Sequence, residues 1–107
     1  MTKIFTDENF QTEVIETSKT KPVLVDFYAV WCGPCKMQGP IIEDVAGLMG
    51  DKAAIGKLNT DEAQSTAIKY GVMSIPTLMI FKDGVVKETM VGVQPKESLI
   101  EIVKKYF

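Results

Sequence analysis

A short run of residues from Val23 to Tyr28 constrains the fold more than any other feature of this chain. The run is apolar at every position before Tyr28 except Asp26, so both faces of the strand that it predicts are apolar. Such a strand belongs in the middle of a sheet that helices cover on both sides. The 107 residues are enough for one domain with a core of this kind and too few for two. We therefore expect a single domain, residues 1–107.

Hydrophobic periodicity and turn signals predict the remaining elements. They indicate strands at Ile4–Phe5, Ala53–Asn59, Thr77–Phe81 and Val85–Val91, and helices after Thr6, from near Pro34, over Ala63–Tyr70 and after Gln94-Pro95. The second helix should bury Met37, Ile41, Ile42, Val45 and Leu48. The resulting order, βαβαβαββα, predicts a three-layer α/β/α sandwich with a mixed five-stranded sheet and four helices. Its first three strands should be parallel, and the Asp83-Gly84 turn should close an antiparallel hairpin.

Charge and composition indicate which partners to expect. The net charge is −2, and all twelve positive side chains are lysines that form no basic cluster. We therefore predict no binding to nucleic acid or to a membrane surface. No apolar run approaches the roughly 20 residues that span a bilayer, and acidic residues follow the N-terminus closely. We expect a cytoplasmic monomer.

The only two cysteines lie in the sequence Trp31-Cys32-Gly33-Pro34-Cys35, between a predicted strand and a predicted helix. The positive end of the helix dipole should favour the thiolate of Cys32. A zinc site needs about four ligands, and this chain has no histidine, although half a site shared across a dimer or an iron–sulfur centre stays open. A purely structural disulfide would close a tiny loop, for a gain of only about 2 kcal/mol. We therefore favour thiol–disulfide exchange without metal or cofactor.

The position of the two thiols predicts their roles. Cys32 is nearer the helix tip and should be the more exposed thiol, so it should attack a substrate disulfide and form a mixed disulfide. Cys35, in the first helical turn, should then displace the reduced substrate. The loop between them holds no ionisable side chain, which favours the disulfide form of the protein and makes the dithiol a reductant.

Over nearly its whole length the chain resembles the thioredoxin family. The matching residues are Val25–Ala29, Trp31–Met37, Pro40, Lys57, Asp61, Tyr70–Val72, Ile75–Thr77, Phe81–Gly84 and Gly92. The resemblance implies the same sandwich fold and a protein-disulfide reductase that acts on disulfide-containing substrate proteins. The chain has no Gly-rich dinucleotide fingerprint, so its electrons should come from a separate thioredoxin reductase. The alternatives are a partner-specific electron donor or isomerase, or a binding subunit that works regardless of redox state.

Asp26 and Lys57 match family residues near the redox pair. We expect Asp26 to lie beneath the cysteines, to have a pKa raised by desolvation and to act as base for Cys35 through water. Lys57, on the neighbouring strand, should oppose that rise. The alternatives are that Asp26 lies on an edge strand and faces solvent, and that Lys57 is an ordinary solvated lysine.

The resemblance also implies a substrate surface. In the family the proline that matches Pro76 is cis, and the backbone of the residue before it pairs with an extended substrate segment. Without the resemblance, Pro76 would be read as marking the start of a strand, and Trp31 could belong to the core. The expected apolar patch consists of Trp31, Gly33, Pro34, Ile75, Gly92 and Val93. Tyr28, Val30 and Met73 depart from the commonest family pattern. Val30 and Met73 make the rim of the patch less charged and more apolar, which leaves the choice of partners open.

Overall fold

A computed structural model describes residues 2–107, which form a five-stranded sheet with helices on both faces. The strands are β1 (Lys3–Phe5), β2 (Val23–Tyr28), β3 (Ala54–Asn59), β4 (Thr77–Lys82) and β5 (Val85–Val91). The helices are an N-terminal π-type helix (Gln11–Glu16), α1 (Gly33–Met49), α2 (Gln64–Lys69) and α3 (Lys96–Lys104). Single 3-10 turns follow the N-terminal helix (Thr17–Lys19) and α1 (Gly50–Lys52). The predicted order of elements and the predicted sandwich are confirmed.

The strand order in the sheet is β1-β3-β2-β4-β5. β1 and β2 both pair with β3 in parallel, whereas β4 is antiparallel to β2 and to β5. β2 is therefore the central strand, as its two apolar faces predicted. In this register Asp26 lies between Lys57 of β3 and Leu78 of β4, so the alternative that it lies at a sheet edge is wrong.

The alternation of side chains along β2 divides the core into two halves. Val23, Val25 and Phe27 belong to a cluster with Phe10 and Val14 of the N-terminal segment. Leu24 points to the other face and packs in a cluster that includes residues of α1 and α3. By the same alternation Asp26 lies on the face that α1 covers. The sheet therefore places one carboxyl group beneath the helix that carries both cysteines.

The side of α1 that faces the core differs in part from the prediction. Ile42 and Val45 are buried as predicted and Ile41 is half-buried, but Met37 and Leu48 are 66% and 62% exposed. The buried stripe instead follows helical spacing through Cys35, Gln38, Ile42, Val45, Ala46 and Met49. The prediction failed because hydrophobic identity alone placed Met37 and Leu48 in the core, whereas the helix turns them towards solvent.

The predicted hairpin turn is present, and a reciprocal pair of hydrogen bonds lies before the N-terminal helix. Asp83 and Gly84 have φ angles of 57° and 81°, the left-handed conformations that a two-residue hairpin turn requires. At the N-terminus, Thr6 Oγ1 accepts a hydrogen bond from the Asn9 N–H at 3.0 Å. Asn9 Oδ1 in turn accepts one from the Thr6 N–H at 2.8 Å. This reciprocal pair satisfies two backbone donors in the turn before the N-terminal helix, whose N-cap residue, Phe10, makes no side-chain cap hydrogen bond.

Candidate active site

The two cysteines form a disulfide at the N-terminus of α1, with their Cα atoms 5.3 Å apart. Cys32 is the N-cap residue, and its Sγ accepts a hydrogen bond from the Cys35 N–H at 3.2 Å. On its other side Cys32 Sγ lies 3.7 Å from the carbonyl oxygen of Ile75. A backbone donor and the positive end of the helix dipole therefore both face this sulfur, and both favour negative charge on it.

The two cysteines are almost equally buried in the disulfide form. Cys32 is 5% exposed and Cys35 is 6% exposed, so the prediction that Cys32 is the more exposed residue is wrong. Both pack with Ala29, and the partly buried Tyr28 and Ile75 lie against them. The loop residues between them, Gly33 and Pro34, are exposed as expected for a turn.

Asp26 is the buried carboxyl group of the site. It is 1% exposed, and its Oδ1 has no hydrogen-bond partner among residues 2–107. Burial raises the pKa of Asp26 from 3.8 to about 7, and the positive charge of Lys57 partly opposes that rise. A cavity of about 250 Å³ connects Asp26 with Cys35 and Lys57. This carboxyl group can therefore exist in either protonation state near neutral pH, next to the second cysteine.

Lys57 lies beside Asp26 without forming an ion pair with it. The two residues are register partners on β3 and β2. The salt bridges within the described part of the chain do not include this pair. Instead the Lys57 Nζ lies 5.2 Å from the centre of the Tyr28 ring, in cation–π geometry. Lys57 is half-buried and lines the cavity, so it is not simply a solvated lysine.

Three segments that are far apart in sequence meet around the disulfide. Ile75 is half-buried, and the peptide bond between Ile75 and Pro76 is cis. Pro76 is buried, and its carbonyl oxygen accepts a hydrogen bond from the Gly92 N–H at 2.8 Å. Val93, which follows, is 36% exposed. The structure therefore brings the 31–35 loop, residues 75 and 76 and residues 92 and 93 to one surface.

Trp31 lies at the edge of this surface rather than in the core. It is 68% exposed, and its indole Nε1–H donates a hydrogen bond to Asp61 Oδ2 at 2.8 Å. Met73, two residues before Ile75, is 96% exposed, and Val30 is 67% exposed. Asp61 matches a family residue, but no role was predicted for its side chain. Its position shortly after β3 could have indicated it, because the carboxyl ends of parallel strands meet at one edge of the sheet.

This fold and this site together define a class of protein. A Cys-X-X-Cys disulfide at the N-terminus of a helix is typical of thiol–disulfide oxidoreductases. The thioredoxin family model matches residues 1–105. The chain belongs to the thioredoxin family.

Curated relatives agree with this assignment. Thioredoxin of Bacillus subtilis is 54% identical over 101 residues, which cover 94% of this chain and 93% of the relative. Thioredoxin 1 of Synechococcus elongatus is 50% identical, with 94% and 92% covered. M-type chloroplastic thioredoxin of Chlamydomonas reinhardtii is 47% identical, with 94% and 70% covered. The family and the disulfide-forming Cys32 and Cys35 support a protein-disulfide reductase.

Two other kinds of site are absent from residues 2–107. No helix there is both long and apolar enough to cross a lipid bilayer. No group of three or more His, Cys, Asp or Glu side chains in that range is placed to hold a metal ion.

Proposed function

We propose that Cys32 is the attacking thiol and Cys35 the resolving thiol of a general protein-disulfide reductase. The observation that carries this assignment is the hydrogen bond from the Cys35 N–H to Cys32 Sγ at the tip of α1. In the reduced protein the same donor would stabilise a thiolate on Cys32. Cys35 Sγ accepts no corresponding backbone bond among the hydrogen bonds of the described residues.

The exchange proceeds in two balanced steps. The Cys32 thiolate attacks one sulfur of the substrate disulfide, forms a mixed disulfide and expels the other substrate sulfur as a thiolate. The Cys35 thiolate then attacks Cys32 Sγ and expels the second substrate sulfur. Two electrons have passed to the substrate, which is now a dithiol, and the protein holds the Cys32–Cys35 disulfide. The fixed proximity of the two cysteines favours the second step.

Asp26 is the proposed base for Cys35. Its pKa of about 7 suits a group that must both accept and return a proton near neutral pH. Cys35 and Asp26 line the same cavity, which is large enough for water to carry the proton between them. Lys57 tunes this group, because its positive charge keeps the pKa of Asp26 from rising further.

The proposed substrate surface surrounds the disulfide. It consists of Trp31, Gly33, Pro34, Ile75, Pro76, Gly92 and Val93, together with the exposed Val30 and Met73. The Ile75 backbone would pair with an extended substrate segment, and the apolar rim would contact its side chains. The substrates would be disulfide-containing proteins, and a thioredoxin reductase would return the protein to its dithiol form. We place this activity in a cytoplasmic monomer that supplies electrons to reductive enzymes and maintains cell redox balance, and that binds neither nucleic acid nor membrane.

The experiment that tests this assignment uses the two single Cys→Ser variants as matched partners. Cys35→Ser should accumulate substrate proteins in disulfide linkage to Cys32, because the resolving thiol is missing. Cys32→Ser should accumulate none. Mass spectrometry of non-reduced adducts identifies the linked cysteine. Adducts on Cys32→Ser instead would reverse the two roles, and a double variant that kept the cellular role would indicate a binding subunit.

A further inference from the structure

Gln38 is the polar side chain that α1 buries in its core-facing stripe, and its exposed fraction is 0%. It lies one turn after Cys35 on the same side of the helix. A buried amide without partners destabilises the folded state by about 1–3 kcal/mol. The contacts that satisfy this amide therefore indicate why it is tolerated.

Both polar atoms of the Gln38 side-chain amide bind the backbone of one distant residue, Gln94. Gln38 Oε1 accepts a hydrogen bond from the Gln94 N–H at 2.7 Å. Gln38 Nε2 donates one to the Gln94 carbonyl oxygen at 3.1 Å. The side chain thus pairs with this backbone in the way a neighbouring strand would. It ties α1 to a loop 56 positions later in the chain.

The loop held in this way includes proposed substrate-surface residues. The Gln94 side-chain Nε2 donates to the carbonyl oxygen of Gly92 at 3.2 Å. The Gly92 N–H binds the carbonyl oxygen of Pro76. The preceding residue, Ile75, has its carbonyl oxygen 3.7 Å from Cys32 Sγ. Gln38 therefore closes a ring of contacts that runs from α1 through two loop segments, residues 92–94 and 75–76, back to the disulfide.

We propose that Gln38 is a positioning residue that holds Gly92 and Val93 in the geometry that protein substrates bind. The proposal rests on the proposed function, which places those two residues on the substrate surface. Gly92 has a φ angle of +90°, a conformation that glycine adopts freely, so its own backbone does little to hold the loop. Without Gln38, the loop would have to be ordered when the substrate binds.

The test compares Gln38→Met, which keeps the approximate size but forms neither hydrogen bond, with the wild type and a matched control. The control is Ser18→Ala, which removes another buried acceptor, the Oγ atom that binds the Gly84 N–H at 2.9 Å. In Gln38→Met the KM for insulin should rise about tenfold, because about one further loop residue would have to be ordered when the substrate binds. The kcat for insulin, the rate with the small disulfide cystamine and the pH profile of Cys32 alkylation should stay as in the wild type. Ser18→Ala should leave the KM and kcat for insulin, the rate with cystamine and the pH profile of Cys32 alkylation unchanged.

Three results would overturn the proposal. An unchanged KM in Gln38→Met would show that the loop does not need the clamp. An equal rise in KM in Ser18→Ala would show a general loss of stability. A parallel loss with cystamine and a shifted alkylation profile would show that Gln38 acts on the chemistry and not on the binding surface. Failure of the proposed function is distinguishable, because the wild type itself would then reduce neither substrate.

A measurement on the unaltered protein keeps the proposal testable if Gln38→Met does not fold. The Gln94 amide hydrogen, which binds Gln38 Oε1, should exchange with solvent at least about tenfold more slowly than in an unstructured peptide of the same sequence. An unprotected Gln94 amide would show that the clamp does not persist in solution.

Discussion

Replacing Asp26 with asparagine should change how the stability of the protein depends on pH. In the unfolded chain this carboxyl group has its ordinary pKa of 3.8, whereas in the folded protein burial raises the pKa to about 7. At pH values below the unfolded-state pKa, the Asp26 carboxyl group is protonated in both the folded and the unfolded protein. There it contributes nothing to the pH dependence of the free energy of unfolding. As pH rises from 3.8 towards about 7, the unfolded state releases its proton first. The free energy of unfolding therefore falls over this interval and levels off above it.

The size of the effect follows from the shift in pKa. At about 1.4 kcal/mol per pKa unit, the change from 3.8 to about 7 corresponds to about 4 kcal/mol. Asp26→Asn cannot ionise, so this loss disappears in the variant. The variant minus wild-type difference in free energy of unfolding should therefore rise by about 4 kcal/mol from about pH 4 to about pH 8. Comparing two pH values cancels the pH-independent effect of burying an amide in place of a carboxyl group.

Urea unfolding of the disulfide form measures this difference, because no thiol then titrates. Asp44→Asn is the matched control, since it makes the same replacement at an exposed position of α1. Because Asp44 is exposed, its replacement should change the free energy of unfolding by no more than about 0.5 kcal/mol at both pH values. If the Asp26→Asn difference is also independent of pH, Asp26 ionises as it does in the unfolded chain. The proposed proton transfer from Cys35 would then lose its physical basis.

Two further predictions concern β3. Lys57→Met should raise the pKa of Asp26 above its present value of about 7, because the positive charge that opposes the shift is removed. NMR titration of the Asp26 carboxyl carbon measures this pKa. An unchanged pKa would contradict the electrostatic role of Lys57. Gly56→Ala should lower the free energy of unfolding by about 1–3 kcal/mol, since a Cβ there would lie 2.5 Å from Phe5 Cε2. The control is Gly47→Ala, because a Cβ at that position would have no neighbour within 4 Å. In urea unfolding this variant should be as stable as the wild type or more stable by up to about 1 kcal/mol. An equal loss of stability at both sites would argue against the steric reason.

Features of this protein that depend on a local pattern could be predicted from the sequence. The apolar run of β2 indicates a central strand because neither face can be left in water. Asp83-Gly84 indicates the hairpin because those residues readily adopt positive φ. The pair of cysteines before a helix indicates its chemistry because the helix terminus supplies both a dipole and a backbone donor. In each case a few consecutive residues contain the physical cause.

Features that depend on distant residues could not be predicted in the same way. Gln38 has the spacing of the buried stripe of α1, but only the approach of Gln94, 56 positions later, explains how a polar amide is satisfied there. The burial of both cysteines likewise depends on residues outside their loop, including Ile75. The periodicity of α1 cannot identify Gln94 and Ile75 as partners, because both residues lie in loops whose positions are set by the packing of the whole sheet.

The structure separates two demands that a disulfide reductase must meet. The proposed proton transfer depends on a carboxyl group that the central strand holds in a buried position, where its ionisation opposes folding between about pH 4 and pH 7. The proposed substrate docking depends on exposed loops, and the hydrogen bonds that tie residues 92 and 94 to α1 and to Pro76 involve no ionisable group. A change in pH should therefore alter the rate of resolution through Asp26 while leaving the Gln38 contacts intact.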